Sequence, residues 1–219
     1  MTDLAKLYRS RFPEQERARK DAIWQVLCAA FFQRYVKPDK DRVLEIAPGL
    51  GEFSRHIRAK EKFAIDLNPD SASFLPEEVQ FRVGSADHME AFPDCHFDVC
   101  FSSNFLEHLP TKSVLEVVLR EVLRVLAPGG IYVCLQPNIR FCFDRYWDFI
   151  DHHIPLSDRS CAEAFDNAGF EVSELIPRFL PFTTKSSLPT DPRLVALYLK
   201  FPLAWRLVGE QFLIVGRKA

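Results

Sequence analysis

The sequence lacks an excess of either charge, since 28 Lys and Arg residues stand against 30 Asp and Glu residues in a chain of 219. The net charge of −2 excludes a dedicated nucleic-acid binder, which needs a basic surplus. A membrane-spanning run is also missing, because the longest uncharged stretch, 125–139, contains Pro128, Gly129 and Gly130. The N-terminal residues lack the apolar centre of a signal peptide.

The sequence has no CxxC pair, although it contains six cysteines, most of them in apolar segments: Cys28, Cys95, Cys100, Cys134, Cys142 and Cys161. This pattern predicts reduced, buried thiols in a cytoplasmic protein. The chain also lacks internal repeats and low-complexity segments. Apolar residues make up 47% of it, which is enough to bury the core of one domain. No feature indicates an oligomeric state.

From Arg42 onward, short apolar segments alternate with helical patterns. The predicted strands are 43–47, 62–67, 79–84, 97–103, 130–136, 170–176 and 211–217. The predicted helices between them are 52–59, 112–126 and 158–168, the last capped by Ser157 and ended by Gly169. Strands that are apolar on both faces and alternate with helices predict an α/β fold. We expect a doubly wound, seven-stranded, mainly parallel sheet whose last strand is antiparallel.

The N-terminal segment precedes this alternation. Residues 14–36 read as one amphipathic helix, because Trp24, Leu27 and other apolar residues recur at spacings of three and four. We therefore expect an N-terminal helical cap, 1–38, on a main domain that spans 39–219 and includes the insertion described next.

An insertion, 177–210, separates the last two predicted strands and is unusually apolar for a surface loop. Asp191 followed by Pro192 predicts the start of a helix within it. We expect the insertion to cover the substrate side of the domain. Its apolar part, 197–205, and the basic residues near the N-terminus (Arg9, Arg11, Arg17, Arg19 and Lys20) are compatible with contact to a membrane surface.

The most informative segment is VLEIAPGLGEF, 43–53, in which a predicted strand runs into a turn with Gly49 and Gly51. Ligands of open α/β sheets bind beyond the carboxyl ends of the strands, at turns where glycine permits close backbone approach. The dinucleotide pattern GxGxxG is not matched, because Ala47, Gly49 and Glu52 occupy its glycine positions. Glu52 would repel a pyrophosphate at the helix N-terminus, which argues against a nicotinamide dinucleotide.

Three carboxylates accompany this turn. Asp66 ends the second predicted strand, where an acid can accept hydrogen bonds from both hydroxyls of a ribose. Asp87 follows the third strand and can accept from an adenine amine, and Glu45 can orient a positively charged ligand through water. Together they describe an acidic cleft without phosphate contacts, which fits a cationic adenosyl sulfonium.

The order of these motifs resembles the class I S-adenosylmethionine-dependent methyltransferases over about residues 42–218. The matching segments are LEIAPGLGEF, AIDLNPD, GSADHMEAFPDCHFDVCFSSNFLEHL and LREVLRVLAPGGIYVCLQPN. The resemblance implies S-adenosylmethionine as cofactor and assigns a part of it to each matching residue. Ala47, Gly49 and Gly51 would line its methionine and ribose parts, Asp66 would hold the ribose, Leu67 and His88 would flank the adenine, Asp87 would bond its amine, and Asn104 would face the methionine end.

The sequence departs from the family pattern at Ala47, which stands where the usual first glycine lies. Because Pro48 follows, we expect Ala47 to have extended geometry. The LEHL segment resembles the branch that contains the ubiquinone/menaquinone methyltransferases. Segments 137–157 and 177–189 resemble a narrower group, similar to methyltransferase type 11, that is associated with polysaccharide or cell-envelope biosynthesis.

The candidates for a catalytic base are His108, His152 and His153, of which the last two lie beyond the fifth strand with acids nearby. Neither HxxxH nor a matching cysteine spacing is present, so no metal site is predicted. The predicted function is methyl transfer from S-adenosylmethionine to a small-molecule, glycan-related or lipid-linked acceptor. Two alternatives stay open: a methyltransferase-like protein that binds without transfer, and a nucleotide-dependent oxidoreductase.

Overall fold

The structure is a computed structural model that describes residues 14–182 and 191–219. Within these residues the centre is a seven-stranded sheet in the order β3-β2-β1-β4-β5-β7-β6. The strands are β1 (Arg42–Ile46), β2 (Glu61–Asp66), β3 (Val79–Val83), β4 (Phe97–Ser103), β5 (Leu126–Pro137), β6 (Phe170–Leu180) and β7 (Gln211–Lys218). Strands β1 to β5 pair in parallel, and β7 runs antiparallel to β5 and β6. This confirms the predicted doubly wound α/β fold with an antiparallel last strand.

Helices cover both faces of the sheet. Their bounds are α1 (Glu14–Ala30), α2 (Glu52–His56), α3 (Lys112–Val125), α4 (Ile139–Tyr146), α5 (Asp158–Ala168), α6 (Pro192–Leu199) and α7 (Pro202–Val208), with 3₁₀ helices at Phe32–Tyr35, Pro69–Phe74 and Leu106–His108. The predicted ends of α5 are confirmed. Ser157 Oγ accepts the Ser160 N–H at 3.1 Å, and Gly169 closes the helix with φ of 99°.

Strand β5 shows how the sequence divides its side chains between two cores. Tyr132 and Cys134 pack with α3 and α5 on one face, whereas Val133 and Leu135 pack with α1 on the other. Successive residues of a strand point to opposite faces, so a strand buried on both sides reads as a continuous apolar run. The parallel sheet is therefore buried between two layers.

Three predicted helix boundaries differ from the structure. The N-terminal helix ends at Ala30, where Phe31 leaves helical geometry with φ of −134°, and a 3₁₀ turn follows in place of a helix to residue 36. The first crossover helix, predicted over 52–59, ends at His56. Helix α3 ends at Val125, so the Pro-Gly-Gly segment lies inside β5 and does not terminate the helix. The residues beyond each of the first two helix ends pack into the core, which sets the boundaries more strongly than helix propensity does.

The insertion is partly sheet and partly helix. Strand β6 continues to Leu180, and the predicted helix start is confirmed because the Asp191 carboxylate accepts the Arg193 N–H at 2.7 Å. Trp205 is 9% exposed and lies against Phe179, with ring centroids 5.1 Å apart. The described insertion helices therefore pack on the same face as α1. That the insertion covers the substrate side stays a prediction.

Two segments named above lie partly outside the described residues. Arg9 and Arg11 of the basic cluster lie in 1–13, outside the described residues. Residues 183–189, the second half of segment 177–189, also lie outside them. Among the described helices, none combines the length and the apolar composition that a bilayer crossing requires.

Candidate functional site

The sequence-predicted cofactor residues lie along one edge of the sheet. Parallel strands β3, β2, β1 and β4 are consecutive neighbours, so the segments that follow their carboxyl ends share that edge. Asp87 follows β3, Asp66 ends β2, Gly49 follows β1 and Asn104 follows β4. The structure thus arranges the acids on one side of the glycine turn and Asn104 on the other.

The turn after β1 requires glycine at its last position. Gly51 has φ of 72°, and its N–H donates to the carbonyl of Pro48 at 2.9 Å. A Cβ added there would lie 3.0 Å from the Phe74 carbonyl oxygen and from Leu75 Cδ2. Gly49 also has positive φ, 58°. The turn is held tight by conformations that other residues rarely adopt, so the backbone itself forms one wall of the cleft.

Ala47 is not extended as predicted, because its φ is 54°, in the left-handed region. Its N–H donates to the carbonyl of Ile65 at 2.9 Å, which fixes the residue on the end of β2 as the chain turns away. Asn104, at the end of the adjacent strand β4, is also left-handed, with φ of 49°. Strain of this kind at two neighbouring strand ends is typical of ligand sites.

Glu45 is buried in β1, and its carboxylate turns toward α2. It accepts hydrogen bonds from the Ser54 hydroxyl and from the Ser54 N–H, the latter at 3.0 Å. Burial raises the pKa of Glu45 to about 8, although the hydrogen bonds from Ser54 act to lower it. The carboxylate thus ties β1 to α2, and its predicted role beside a ligand stays a prediction.

Asp66 combines a held carboxylate with an apolar neighbour. It accepts the Asn68 N–H at 2.9 Å and the Ser71 hydroxyl at 3.0 Å, and burial raises its pKa. Leu67, the next residue, is 61% exposed. An exposed leucine beside an oriented carboxylate is the pair that a ribose joined to an apolar ring would cover.

Asp87 and His88 form the outer end of this edge. The Ser85 hydroxyl donates to the Asp87 carboxylate, and that bond lowers the pKa of Asp87. His88 Nδ1 lies 3.3 Å from the same carboxylate, and its ring is 72% exposed. Asp87 is therefore an anionic acceptor at the surface, as contact with an amine requires.

Of the three histidines predicted as candidate catalytic bases, only two lie in contact with each other. His108 and His152 lie together, with ring centroids 5.0 Å apart. His108 Nδ1 is 2.9 Å from the carbonyl oxygen of Asp151, and His152 stacks on Phe149 with an interplanar angle of 22°. His153 is exposed, and its side chain is not part of this group.

Glu107 is the residue that the sequence-based prediction missed. Its side chain is 1% exposed beside His108, and burial raises its pKa to about 7. Its carbonyl oxygen accepts the N–H groups of His153 and Ile154 at 2.8 and 3.2 Å, which ties the loop after α4 to the end of β4. The available signal was an acid directly after the apolar pair Phe105 and Leu106, since buried carboxylates are costly without partners.

A separate pocket of about 230 Å³ lies between α1 and the glycine turn. Arg17, Leu50, Arg55 and Phe74 contribute to its walls. The pocket borders the turn but is lined by neither Asp66 nor Asp87. The edge of the sheet described above is the better candidate for a ligand site, because polar acceptors converge there.

Comparison with known proteins identifies the central part of the chain. Residues 44–134, from β1 to β5, match the family described as "Methyltransferase domain". Over this segment the chain is similar to a methyltransferase domain. The segment includes all nine predicted cofactor residues, from Glu45 to Asn104, and the match implies S-adenosylmethionine as the cofactor of the domain.

Two curated proteins to which the chain is similar carry the names of methyltransferases. The 2-methyl-6-phytyl-1,4-hydroquinone methyltransferase of Synechocystis sp. is 32% identical over 111 residues, 47% of this chain and 34% of that protein. Ajmaline N-methyltransferase of Rauvolfia serpentina is 29% identical over 126 residues, 52% of this chain and 42% of that protein. The matched region thus spans less than half of either curated relative.

A solved structure shares the fold over nearly the whole chain. The crystal structure of a SAM dependent methyltransferase from Archaeoglobus fulgidus superposes with a TM-score of 0.67, covering 99% of this chain and 100% of that one at 18% identity. The chain therefore shares the fold of this neighbour.

The residues present fit an adenosyl cofactor. The Gly51 position has no room for a side chain, Asp66 offers an oriented carboxylate, and Leu67 offers an uncovered apolar surface. An anionic edge suits a sulfonium cation and repels phosphates. These residues therefore agree with S-adenosylmethionine.

Proposed function

We propose that the chain transfers a methyl group from S-adenosylmethionine to a small acceptor that has an apolar body. The observation that carries the proposal is the edge of the sheet itself, where Asp66, Asp87 and the left-handed turn follow consecutive strands. Asp66 would hold the ribose and Asp87 the adenine amine, while Ala47, Gly49 and Gly51 would line the middle of the cofactor. Asn104 would face its methionine end.

Bound in this way, S-adenosylmethionine supplies an electrophilic methyl group on a positively charged sulfur. The residues of the chain contribute mainly by alignment, which is worth up to roughly 7–11 kcal/mol in favourable cases. For an oxygen acceptor, a base must also take a proton, and His108, His152 and His153 are the candidates beyond β4 and β5. For a nitrogen acceptor, positioning alone can suffice.

The apolar body of the acceptor is inferred from exposed side chains in the segment that leads to His152. Phe143, Trp147 and Ile150, on α4 and the turn after it, are 71%, 56% and 85% exposed. Apolar groups of this size left uncovered near a site favour an apolar ligand or a lipid-linked one. By their names, two relatives methylate a phytyl-substituted hydroquinone and ajmaline, which agrees with a small-molecule acceptor.

Contact with a membrane surface is a finer proposal. Helices α6 and α7 expose Leu194, Leu203 and Leu207, at 46%, 74% and 77%. An acceptor from polysaccharide or cell-envelope synthesis and a cytoplasmic location also remain predictions. Sedimentation of the protein with anionic vesicles is expected, and its absence would remove the membrane part of the proposal alone.

The site assignment is tested by Asp66→Ala and His153→Ala. Asp66→Ala is expected to weaken binding of S-adenosylhomocysteine at least tenfold, because one good hydrogen bond to a charged group contributes roughly 1.5–3 kcal/mol. His153→Ala is expected to bind it like the wild type and to slow transfer. Titration calorimetry measures the first effect, and methyl transfer to a panel of hydroxylated and amino acceptors measures the second. If both variants bind the cofactor like the wild type, the assignment of Asp66 is wrong.

A further inference from the structure

Three potential metal ligands converge beyond the carboxyl end of β4. One carboxylate oxygen of Glu107 and one ring nitrogen each of His108 and His152 all lie within 4.8 Å of one another. We call these residues the Glu107 cluster. Two of them are neighbours in the 3₁₀ helix after β4, and His152 comes from the loop after α4.

Glu107 is the observation that points to a ligand. Its side chain is 1% exposed, and within the described residues its Oε2 has no hydrogen-bond partner. Other buried acids are compensated: Glu45 by two donors from Ser54, and Asp158 by Arg140 and Asn138. Burying a carboxylate oxygen without a donor costs free energy that a cation would recover.

His108 is oriented as a metal ligand is. Its Nδ1 lies 2.9 Å from the carbonyl oxygen of Asp151, and a carbonyl can only accept, so Nδ1 carries the proton. Nε2 is then the ring nitrogen directed toward Glu107, and it lies 3.9 Å from Glu107 Oε1. A backbone carbonyl behind the distal nitrogen is the usual outer support of a ligating histidine.

We propose that the Glu107 cluster binds one divalent transition metal ion, with zinc the best match to two imidazoles and one carboxylate. Three protein ligands with an open fourth position are the pattern of catalytic zinc sites. In tetrahedral geometry, ligand atoms about 2.0–2.2 Å from one zinc ion lie roughly 3.3–3.6 Å apart, so a cluster whose ligand atoms lie within 4.8 Å of one another closes on an ion with side-chain movements of up to about 1.5 Å. The sequence predicted no metal because His152 lies far from Glu107 along the chain, at no recognised spacing.

The role of the ion rests on the proposed function. Glu107 is three residues beyond Asn104, so the open position would lie at the acceptor end of the cleft, and the acceptor class would be a hydroxyl compound. Because His108 and His152 would then be metal ligands and not bases, the acceptor hydroxyl, its pKa lowered by the ion, would give its proton to solvent. Its oxygen would then bond to the methyl carbon, the bond from that carbon to sulfur would break, and the electron pair would stay on sulfur.

The test uses the full chain after removal of metal with a chelator, titrated with zinc chloride alone and then with cobalt chloride. The wild type is expected to bind one zinc ion per chain, to gain thermal stability in proportion to zinc, and to give the intense visible absorption of four-coordinate cobalt. Glu107→Gln keeps the size of the side chain and is expected to lose zinc affinity at least about 100-fold, beyond the 10–100-fold typical of outer-shell changes. His153→Asn, next to the cluster but outside it, is the matched control and is expected to bind zinc like the wild type.

Two results overturn the proposal. One is a folded wild type that binds no zinc, and the other is zinc bound equally by Glu107→Gln, which would make the ion an adventitious one. Thermal unfolding without zinc shows whether each variant is folded, and His152→Asn is the second variant if Glu107→Gln is not. Titration with S-adenosylhomocysteine keeps the two proposals apart: its binding with no zinc site refutes only the metal, and a zinc site without its binding refutes only the proposed function.

Discussion

At the scale of single residues, the candidate site contains left-handed backbone conformations and buried acidic side chains. Ala47 and Asn104 are left-handed at adjacent strand ends, and Glu45 and Glu107 are buried acids. The sequence indicated three of these four positions through motif order. It did not indicate the left-handed conformation of Ala47, because a residue before proline favours extended geometry. The hydrogen bond from the Ala47 N–H to the Ile65 carbonyl holds the left-handed conformation instead.

Ala47→Gly is expected to leave the free energy of unfolding unchanged or to raise it by up to about 1 kcal/mol. Glycine removes left-handed strain of roughly 1–2 kcal/mol, and the greater freedom of the unfolded chain offsets part of that gain. Ala47→Val, with a branched Cβ at φ of 54°, is expected to destabilise by more than about 1 kcal/mol. Urea denaturation measures both, and a valine variant as stable as the glycine variant would contradict the strained geometry.

Glu45→Gln is expected to change how stability depends on pH. The folded-state pKa of about 8 exceeds the ordinary 4.5, so the folded wild type holds a proton that the unfolded chain releases between these values. Wild-type stability from this group is therefore full below pH 4.5 and falls as pH rises to 8, by up to about 1.4 kcal/mol per unit. The glutamine variant lacks that loss.

The measurement for Glu45 is the difference in unfolding free energy between the variant and the wild type, taken at several values from pH 5 to 8. The difference is expected to grow in favour of Glu45→Gln as pH rises. Parallel curves for the two proteins would mean that Glu45 is ionised in the folded state throughout this range.

At the scale of elements, the sequence predicted where strands lie better than where helices end. Strand β4 was predicted with its observed bounds, because a run buried on both faces and flanked by polar turns leaves little choice. Helix α2 is five residues long where the periodicity suggested eight, since Ile57 already turns into the core with ψ of 138°. Packing against other elements decides where such a helix ends, and the local sequence pattern carries no information about that packing.

Trp205→Ala is expected to destabilise the chain by about 3–5 kcal/mol, because it removes a buried indole that packs between Phe31 and Phe179. Leu207→Ala, on the same helix α7 but 77% exposed, is the matched control and is expected to change stability by less than about 0.5 kcal/mol. Thermal or urea unfolding measures both. Equal effects of the two substitutions would mean that α7 does not dock on the sheet through Trp205.

At the scale of the whole molecule, the order of motifs along the chain carried most of the functional information. Parallel strands place their carboxyl ends along one edge, so Asp66, Asp87 and the glycine turn could be assigned to one cleft before any coordinates. The acceptor end could not be assigned in the same way. The residues proposed for it come from the 3₁₀ helix after β4 and from the loop after α4, and only folding brings Glu107 and His152 together.

The central claim is that this edge binds an adenosyl sulfonium cofactor. Titration calorimetry of the purified chain with S-adenosylmethionine and S-adenosylhomocysteine, with NADH as the control, tests it most directly. We expect one site per chain for either adenosyl ligand, with micromolar affinity equivalent to a binding free energy of about 8 kcal/mol, and no heat from NADH. A folded protein that binds neither adenosyl ligand, or that binds NADH instead, would contradict it.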